Sequence, residues 1–429
     1  MRVSSRAARA ALAAGTALLL PLAWAPGAAA GSADPTAPAG SLVLVGGGLK
    51  ESNAQVYDEI INRAGGKGRA RIGVLTAASV PASQDPNADD PQTCNNSACN
   101  GAYYAGLLTE HGAADAEWIP IDIDHVSQAD SAQVVKQVDN MTGFFFGGGD
   151  QYRYVTSLLH GSAHSDSKVL AAIRAKLDHG AVIAGSSAGA QIAAGSDMIT
   201  GGDSYEALRD GSTPGYFDDV SKLGYLPEGG FGFFDAGLLD THTGTSGREG
   251  RSLRLAADTG HRRVFALEEN TALVVEHPGS PRETMRVVGP QGLAVFDLRH
   301  ARTRRSAAGW SLTGVSYSYL TDGDRYDPRS WRVRPAEGKK LFRPEARTAV
   351  PENHDVFYSP ANSNGTPYSF LSTARALADT NGQREATAST YETGPRFTVT
   401  FGKDHGFTAL TEDGTHTDTF TDMTISVRP

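Results

Sequence analysis

The sequence predicts an α/β protein: a mostly parallel sheet flanked by helices on both faces, followed by a β-rich C-terminal extension. Three observations predict it. Short apolar or β-branched runs alternate with helical patterns through the first half of the chain, glycine clusters fall at the ends of those runs, and the helical alternation stops in the last hundred residues. Strand followed by helix followed by strand needs a crossover, and crossovers make neighbouring strands parallel.

The elements follow in order. Strands are read at Leu42–Val45, Arg71–Thr76, Trp118–Ile123, Gly143–Phe146 and Val182–Ala184. Helices are read near Ala54–Arg63, Ala102–His111, Ala129–Val138, Tyr152–Leu159 and Lys168–Asp178. Further strand-like runs come at Val264–Leu267, Ala272–Val275 and Leu293–Phe296, and in the last hundred residues at Phe397–Thr400. Open α/β sheets place their sites at the carboxyl ends of the strands. Gly46-Gly47-Gly48, Gly147-Gly148-Gly149-Asp150-Gln151 and the turn at Ser187 all fall there. Neither glycine cluster has the spacing of a nucleotide-binding loop; they are read as letting backbone N–H groups approach a reacting carbonyl, with tight turns alone an equal reading for Gly46-Gly47-Gly48.

The ends of the chain set its expected compartment. Arg2, Arg6 and Arg9 precede an apolar stretch around Leu18-Leu19-Leu20, and Ala28-Ala29-Ala30 precedes Gly31. That is the pattern of a secretory signal with an Ala-x-Ala cleavage site. The expected organisation is a signal over residues 1–30, a linker over 31–40, a catalytic α/β domain over 41–328 and a β-rich extension over 329–429. The expected location is extracellular, with no membrane association after cleavage. Removing the signal leaves 36 basic against 48 acidic residues, a net charge of −12. Such a surface argues against nucleic acid as a partner. Cys94 and Cys99 share a polar loop, and in an oxidising compartment they are expected to form a local disulfide.

Chemistry is most legible at Gly185-Ser186-Ser187-Ala188-Gly189, a Gly-x-Ser-x-Gly turn between an apolar strand and a small-residue helix. A nucleophile elbow needs small neighbours, because the turn that lifts the serine hydroxyl clear of the sheet leaves no room for others. A serine hydroxyl is a weak nucleophile at neutral pH and needs a base and an acid that orients it. Among twelve histidines, only His242 lies just beyond an apolar strand and before a cluster of ligand-type residues, Arg248, Arg251 and Arg254. No His-Glu-x-x-His run or comparable metal-ligand cluster is present in the sequence. No cofactor and no metal are expected.

Read together, the ordered segments resemble the cyanophycinase and aspartyl dipeptidase family of serine peptidases, most closely its secreted cyanophycinases. The elements that carry the resemblance are Gly46–Gly48, Gly148-Gly149-Asp150-Gln151, Gly185–Ala190, Asp240-Thr241-His242, Arg248 and Arg251, Glu269-Asn270-Thr271-Ala272, and Gly323-Asp324-Arg325. The resemblance implies a sheet related to class I glutamine amidotransferase domains, with serine in place of cysteine. It implies Ser187 as nucleophile and His242 as general base and later acid. Glu269 is the favoured third member, and Glu206, with Asp203 near it, is the other carboxylate in contention. The oxyanion donors are expected to be the N–H of Ala188 and one from Gly148 or Gly149, with Gly149 preferred. Gln151, Asp240, Arg248 and Arg251 form the expected substrate-binding set, the arginines clamping carboxylates and Asp240 meeting guanidinium groups. Ser246 departs from the cyanophycinase pattern, which has a further arginine there.

The implied activity is hydrolysis of cyanophycin, an arginyl-branched poly-aspartate, to β-aspartyl-arginine dipeptides. The expected partner is thus a polymeric or peptide substrate rich in aspartate and arginine, and a homodimer is the default that the resemblance implies. The competing readings are a secreted aspartyl dipeptidase and a non-catalytic binding protein on the same fold.

Overall fold

The computed structural model describes residues 40–429. The signal read over residues 1–30, and the linker but for Gly40, lie outside the described residues. Strands alternate their side chains between two faces, and the first strand shows how that builds two cores. In Ser41–Val45, Leu42 and Leu44 join one apolar cluster and Val43 and Val45 the other, all fully buried. Five strands run parallel in the spatial order Ser41–Val45, Val182–Ser186, Gly143–Phe146, Arg71–Leu75 and Asp115–Trp118.

Helices cover both faces of this parallel half. Ala54–Arg63 and Ser97–Glu110 bring Val56, Tyr57, Ile60, Ile61, Leu107 and Leu108 to the Val43 face. Ala132–Asp139, Gln151–Leu158 and Lys168–Asp178 cover the opposite face with Val134, Tyr154, Leu158, Leu170 and Ile173. Side-chain caps fix where several of them begin. Asn53 accepts from Val56 N, Asp150 from Tyr152 N and Ser167 from Leu170 N, each satisfying a first-turn N–H that the helix leaves free. Asp150 of the Gly-Gly-Asp-Gln turn therefore has a structural task.

The sheet is less parallel than the sequence suggests. Ala272–Glu276 pairs antiparallel with Ser41–Val45, and Thr284–Val288, Arg325–Asp327 and Arg332–Arg334 continue outward antiparallel to one another, completing nine strands. These strands are joined without helical crossovers, and short connections return the chain antiparallel. Boundaries also move, the helix read from Ala102 beginning already at Ser97. The third strand is Asp115–Trp118 rather than Trp118–Ile123, because Ile119 and Ile121 are buried in the loop that follows it. The helix read from Ala129 begins at Ala132, after a short 3₁₀ turn over Val126–Asp130. Cys94 and Cys99 are bonded to each other.

A second sheet of ten strands packs beside the first. Leu238–Asp240 runs parallel to Arg263–Leu267 across the helix Glu249–Thr259, and Gly292–Asp297 and Gly309–Thr321 follow antiparallel. Phe265, Leu267, Leu293 and Val295 face the first sheet's Leu273 and Val287 in one cluster. The C-terminal hundred residues are not a separate appendage, which corrects the expected boundary at 328/329. Thr419–Arg428 pairs with Gly309–Thr321, and Thr398–Gly402 and Glu385–Ser389 extend the same sheet. The cause is an unpaired edge: the long strand Gly309–Thr321 needs partners for its N–H and C=O groups. Phe370, Phe397, Phe401 and Phe420 pack with Phe296 and Tyr317 in one core, and the whole forms one unit through Pro429.

Candidate active site

The central strand Val182–Ser186 runs into a four-residue helix, Ala188–Gln191, through a single residue, Ser187. Ser187 has φ 58° and ψ −119°, a conformation that L residues adopt under strain and that holds the hydroxyl at the mouth of the turn. The flanking glycines are required by contact. A Cβ on Gly185 would overlap the Gly189 carbonyl, and one on Gly189 would overlap the carbonyls of Phe146 and Gly147. The Ser187 N–H donates to the Val45 carbonyl at 3.1 Å, which ties the turn to the first strand.

Ser187 Oγ lies 2.7 Å from His242 Nε2, and His242 Nδ1 lies 2.6 Å from Glu269 Oε1. The three residues come from three separate strand ends. His242 follows Leu238–Asp240, and Glu269 follows Arg263–Leu267. The first glycine cluster brings them together. His242 N donates to the Gly46 carbonyl and Asn270 N to the Gly47 carbonyl, each at 2.7 Å. Asn53 Nδ2 donates to both oxygens of Asn270 at 2.9 Å, locking the turn after Glu269. A Cβ on Gly47 would fall on the His242 ring, and one on Gly48 would stand 2.8 Å from Glu269 Oε2. The role expected for Gly46-Gly47-Gly48, backbone approach to a carbonyl, is thus corrected: the glycines make room for the histidine and the carboxylate. Gly47→Ala is expected to displace the imidazole and lower kcat about a hundredfold, with KM little changed, as steady-state kinetics would read.

His242 is mostly buried. Burial pulls its imidazole below the ordinary value near 6.5, and the hydrogen bond to Glu269 opposes that pull without overcoming it. The ring is therefore neutral at pH 7 and able to accept a proton. The sign for catalysis follows: activity is present above the His242 value and lost as pH falls through it. The acid limb of kcat/KM is expected to have its midpoint below 6.5, read from a pH–rate profile. Among the described residues Glu206 forms no hydrogen bond or ion pair with His242. It sits on the helix Ser204–Asp210 in a slot with Ser359 and Glu392.

The relay opens into a cleft of about 330 Å³ lined by Gly149, Gln151, Ala188, Asp203, Arg248 and Arg251 among others. Ala188 and Gly149 line this cleft together with Ser187, and Gly148 lies against the Ser187 side chain. Gln151 donates its Nε2 to the Ile199 carbonyl at 2.8 Å, and Arg248 donates Nη1 to the Thr241 carbonyl at 3.0 Å. Burial lowers the Arg248 guanidinium to about 10, still cationic at neutral pH.

Asp240 requires a correction. It is 0 % exposed and does not line the cleft, so it cannot meet a substrate guanidinium. Its oxygens accept from Arg251 Nη2 at 2.6 Å and Nε at 2.9 Å, and from the Ser252 hydroxyl at 2.7 Å. Arg251 is itself only 5 % exposed, so much of its fork faces Asp240 rather than open solvent. The reason is local. Residues eleven apart on a strand end and its following helix converge, and a buried arginine demands a carboxylate. Sequence reasoning passed over the wall Thr200-Gly201-Gly202-Asp203 and Val220. A polar loop carries no periodic signal, and Asp203 stood out only as a neighbour of Glu206.

A strained serine at a strand-to-helix turn, hydrogen-bonded to a histidine and through it to a glutamate, defines a serine-hydrolase class of site. Sequence kinship agrees. Residues 108–280, which include Ser187, His242 and Glu269, match Peptidase family S51. The chain is 29 % identical over 304 residues to a protein named Cyanophycinase from Nostoc sp., covering 68 % of this chain and 88 % of that protein. It is equally similar, over the same shares, to a Cyanophycinase from Trichormus variabilis. A solved peptidase structure from an acI-B1 Actinobacterium aligns with TM-score 0.42 and 17 % identity, over 67 % of this chain and 97 % of that one. The chain is a serine-type peptidase, similar over residues 108–280 to Peptidase family S51 and over most of its length to two cyanophycinases.

Proposed function

We propose that this chain is a secreted serine exopeptidase that hydrolyses cyanophycin to β-aspartyl-arginine dipeptides. The observation that carries the reading is the unbroken path from Ser187 Oγ through His242 to Glu269 at the foot of a cleft, in a chain similar to two cyanophycinases. Ser187 Oγ attacks the scissile carbonyl as His242 Nε2 takes its proton, and Glu269 holds the Nδ1 proton and steadies the imidazolium. The N–H groups of Ala188 and Gly149 receive the oxyanion. Collapse breaks the peptide bond, and His242 returns the proton to the leaving amine, leaving an acyl-enzyme on Ser187. Water, deprotonated by His242, then releases the product carboxylate and the free serine.

Two finer readings accompany it. The strand order, with the nucleophile strand between the first strand and Gly143–Phe146, supports grouping the sheet with class I glutamine amidotransferase domains, serine standing where those carry cysteine. The basic and apolar pattern of residues 1–30 supports export, and a polymer granule has to be cut where it lies. The test is protein beginning at Gly31 mixed with purified cyanophycin granules, following turbidity and product mass. Clearing with release of a dipeptide of one aspartate and one arginine is the expected result. Cleavage of short aspartyl peptides with the polymer left intact would overturn it.

A further inference from the structure

The cleft contains one carboxylate that the proton relay does not use. Asp203 lines the same cavity as Ser187, His242 and Arg248. Its backbone is fixed from several directions. Asp203 N donates to the Ser221 carbonyl and Gly202 N to the Val220 carbonyl, both at 2.9 Å. Arg251 Nη1 holds the Gly202 carbonyl at 2.9 Å, and Gln151 Nε2 holds that of Ile199 at 2.8 Å.

The side chain, by contrast, has no task in the fold. Asp203 stands just before the helix Ser204–Asp210, where an aspartate ordinarily accepts from a first-turn N–H, yet its carboxylate makes no such bond. Arg251 is paired with Asp240 and Arg248 donates to the Thr241 carbonyl; among the described residues neither forms an ion pair with Asp203. A half-buried carboxylate without a partner is costly. Held on a fixed backbone at a cleft wall, it is an acceptor left free for a ligand.

The surroundings select the sign of that ligand. Asp203 also borders the slot that holds Glu206, Asp355 and Glu392, with Ser246 contributing a small hydroxyl and no charge. Burial pushes the carboxyls of Asp203 and Glu206 up, the opposed pull of Arg251 and Arg248 on Asp203 notwithstanding, and Asp203 and Glu392 push Glu206 further. A cation brought to Asp203 from the cleft side would offset this concentration of negative charge. Arg248 supplies the opposite charge in the same cleft, within electrostatic reach of Asp203, so the two together suit a ligand that carries both signs.

We infer that Asp203 is the specificity-determining residue that receives a cationic side chain of the substrate, a guanidinium above all, while Arg248 receives a carboxylate of the same unit. This rests on the peptidase reading above and names the residue that Asp240, buried against Arg251, cannot replace. The arrangement suits a ligand with both charges, such as an arginyl group with a free carboxylate.

The test separates recognition from turnover. In a Ser187→Ala background, β-aspartyl-arginine and its neutral isostere β-aspartyl-citrulline are titrated calorimetrically. The expected preference for the arginyl ligand is about tenfold or more. Adding Asp203→Asn is expected to abolish the preference, and Asp203→Glu to retain part of it, with thermal melts confirming that each variant is folded. No preference in the parent, or a full preference surviving Asp203→Asn, would overturn the inference. Granule clearing by the unsubstituted protein tests the peptidase reading independently, so failure of one assay is distinguishable from failure of the other.

Discussion

Ser187→Ala is expected to lower kcat by about four to six orders of magnitude, and Ser187→Ala with His242→Ala to lower it no further. The reason is that the hydroxyl and the imidazole act as a unit. At 2.7 Å, His242 Nε2 has no other proton to move in the acylation step, so removing either partner removes the same step. Glu269→Gln is expected to cost less, about four orders, because the imidazole keeps its place but loses the acceptor 2.6 Å from Nδ1 that fixes its tautomer. Glu206→Gln, which alters a side chain that does not hydrogen-bond to His242, is expected to change kcat within about twofold. Single-turnover release from a soluble oligomer, together with fluorophosphonate labelling of Ser187, checks the series. Retention of more than a few per cent of activity by Ser187→Ala would remove the nucleophile from this assignment.

The parts of the site that the sequence reveals are those with a local signature. Ser187 is legible because an elbow imposes small residues on both sides, and Gly185 and Gly189 appear in the sequence for the same steric reason that the structure shows. His242 and Glu269 are legible through ordered motifs at strand ends. What the sequence conceals is pairing at a distance. Gly47 looks like a turn glycine, and only the fold brings the His242 ring to where its Cβ would be. Asp240 and Arg251 look like two binding residues, and only burial shows that they bind each other. In the fold, the alternation of strands and helices predicts the five parallel strands well. The antiparallel half and the C-terminal strands escape, because short polar turns and scattered aromatics do not reveal which edge a strand joins.

The pairing of Asp240 with Arg251 sets the largest expected effect on stability. Asp240→Ala leaves a guanidinium that is 5 % exposed facing an apolar gap, and the Ser252 hydroxyl loses its acceptor. Breaking a buried pair from one side costs about 3–5 kcal/mol, enough to lower Tm by roughly 4–6 °C in a chain of this size. Asp240→Leu combined with Arg251→Met is expected to regain most of that loss, because no buried charge is then left alone. Activity would not return with it: Arg251 Nη1 also holds the Gly202 carbonyl beside Asp203, so the cleft wall loses its anchor. The pH dependence carries the same sign. Burial works to raise the Asp240 carboxyl, but the Arg251 guanidinium outweighs it and holds the group below the usual carboxylate range. The pair's stabilisation is therefore complete above the unfolded value near 3.9 and lost as pH falls through the folded one. The double variant, lacking the group, should show a shallower acid limb in thermal melts. Were Asp240 instead a substrate contact, Asp240→Ala would raise KM and leave Tm in place, so one melting curve beside one KM separates the two roles.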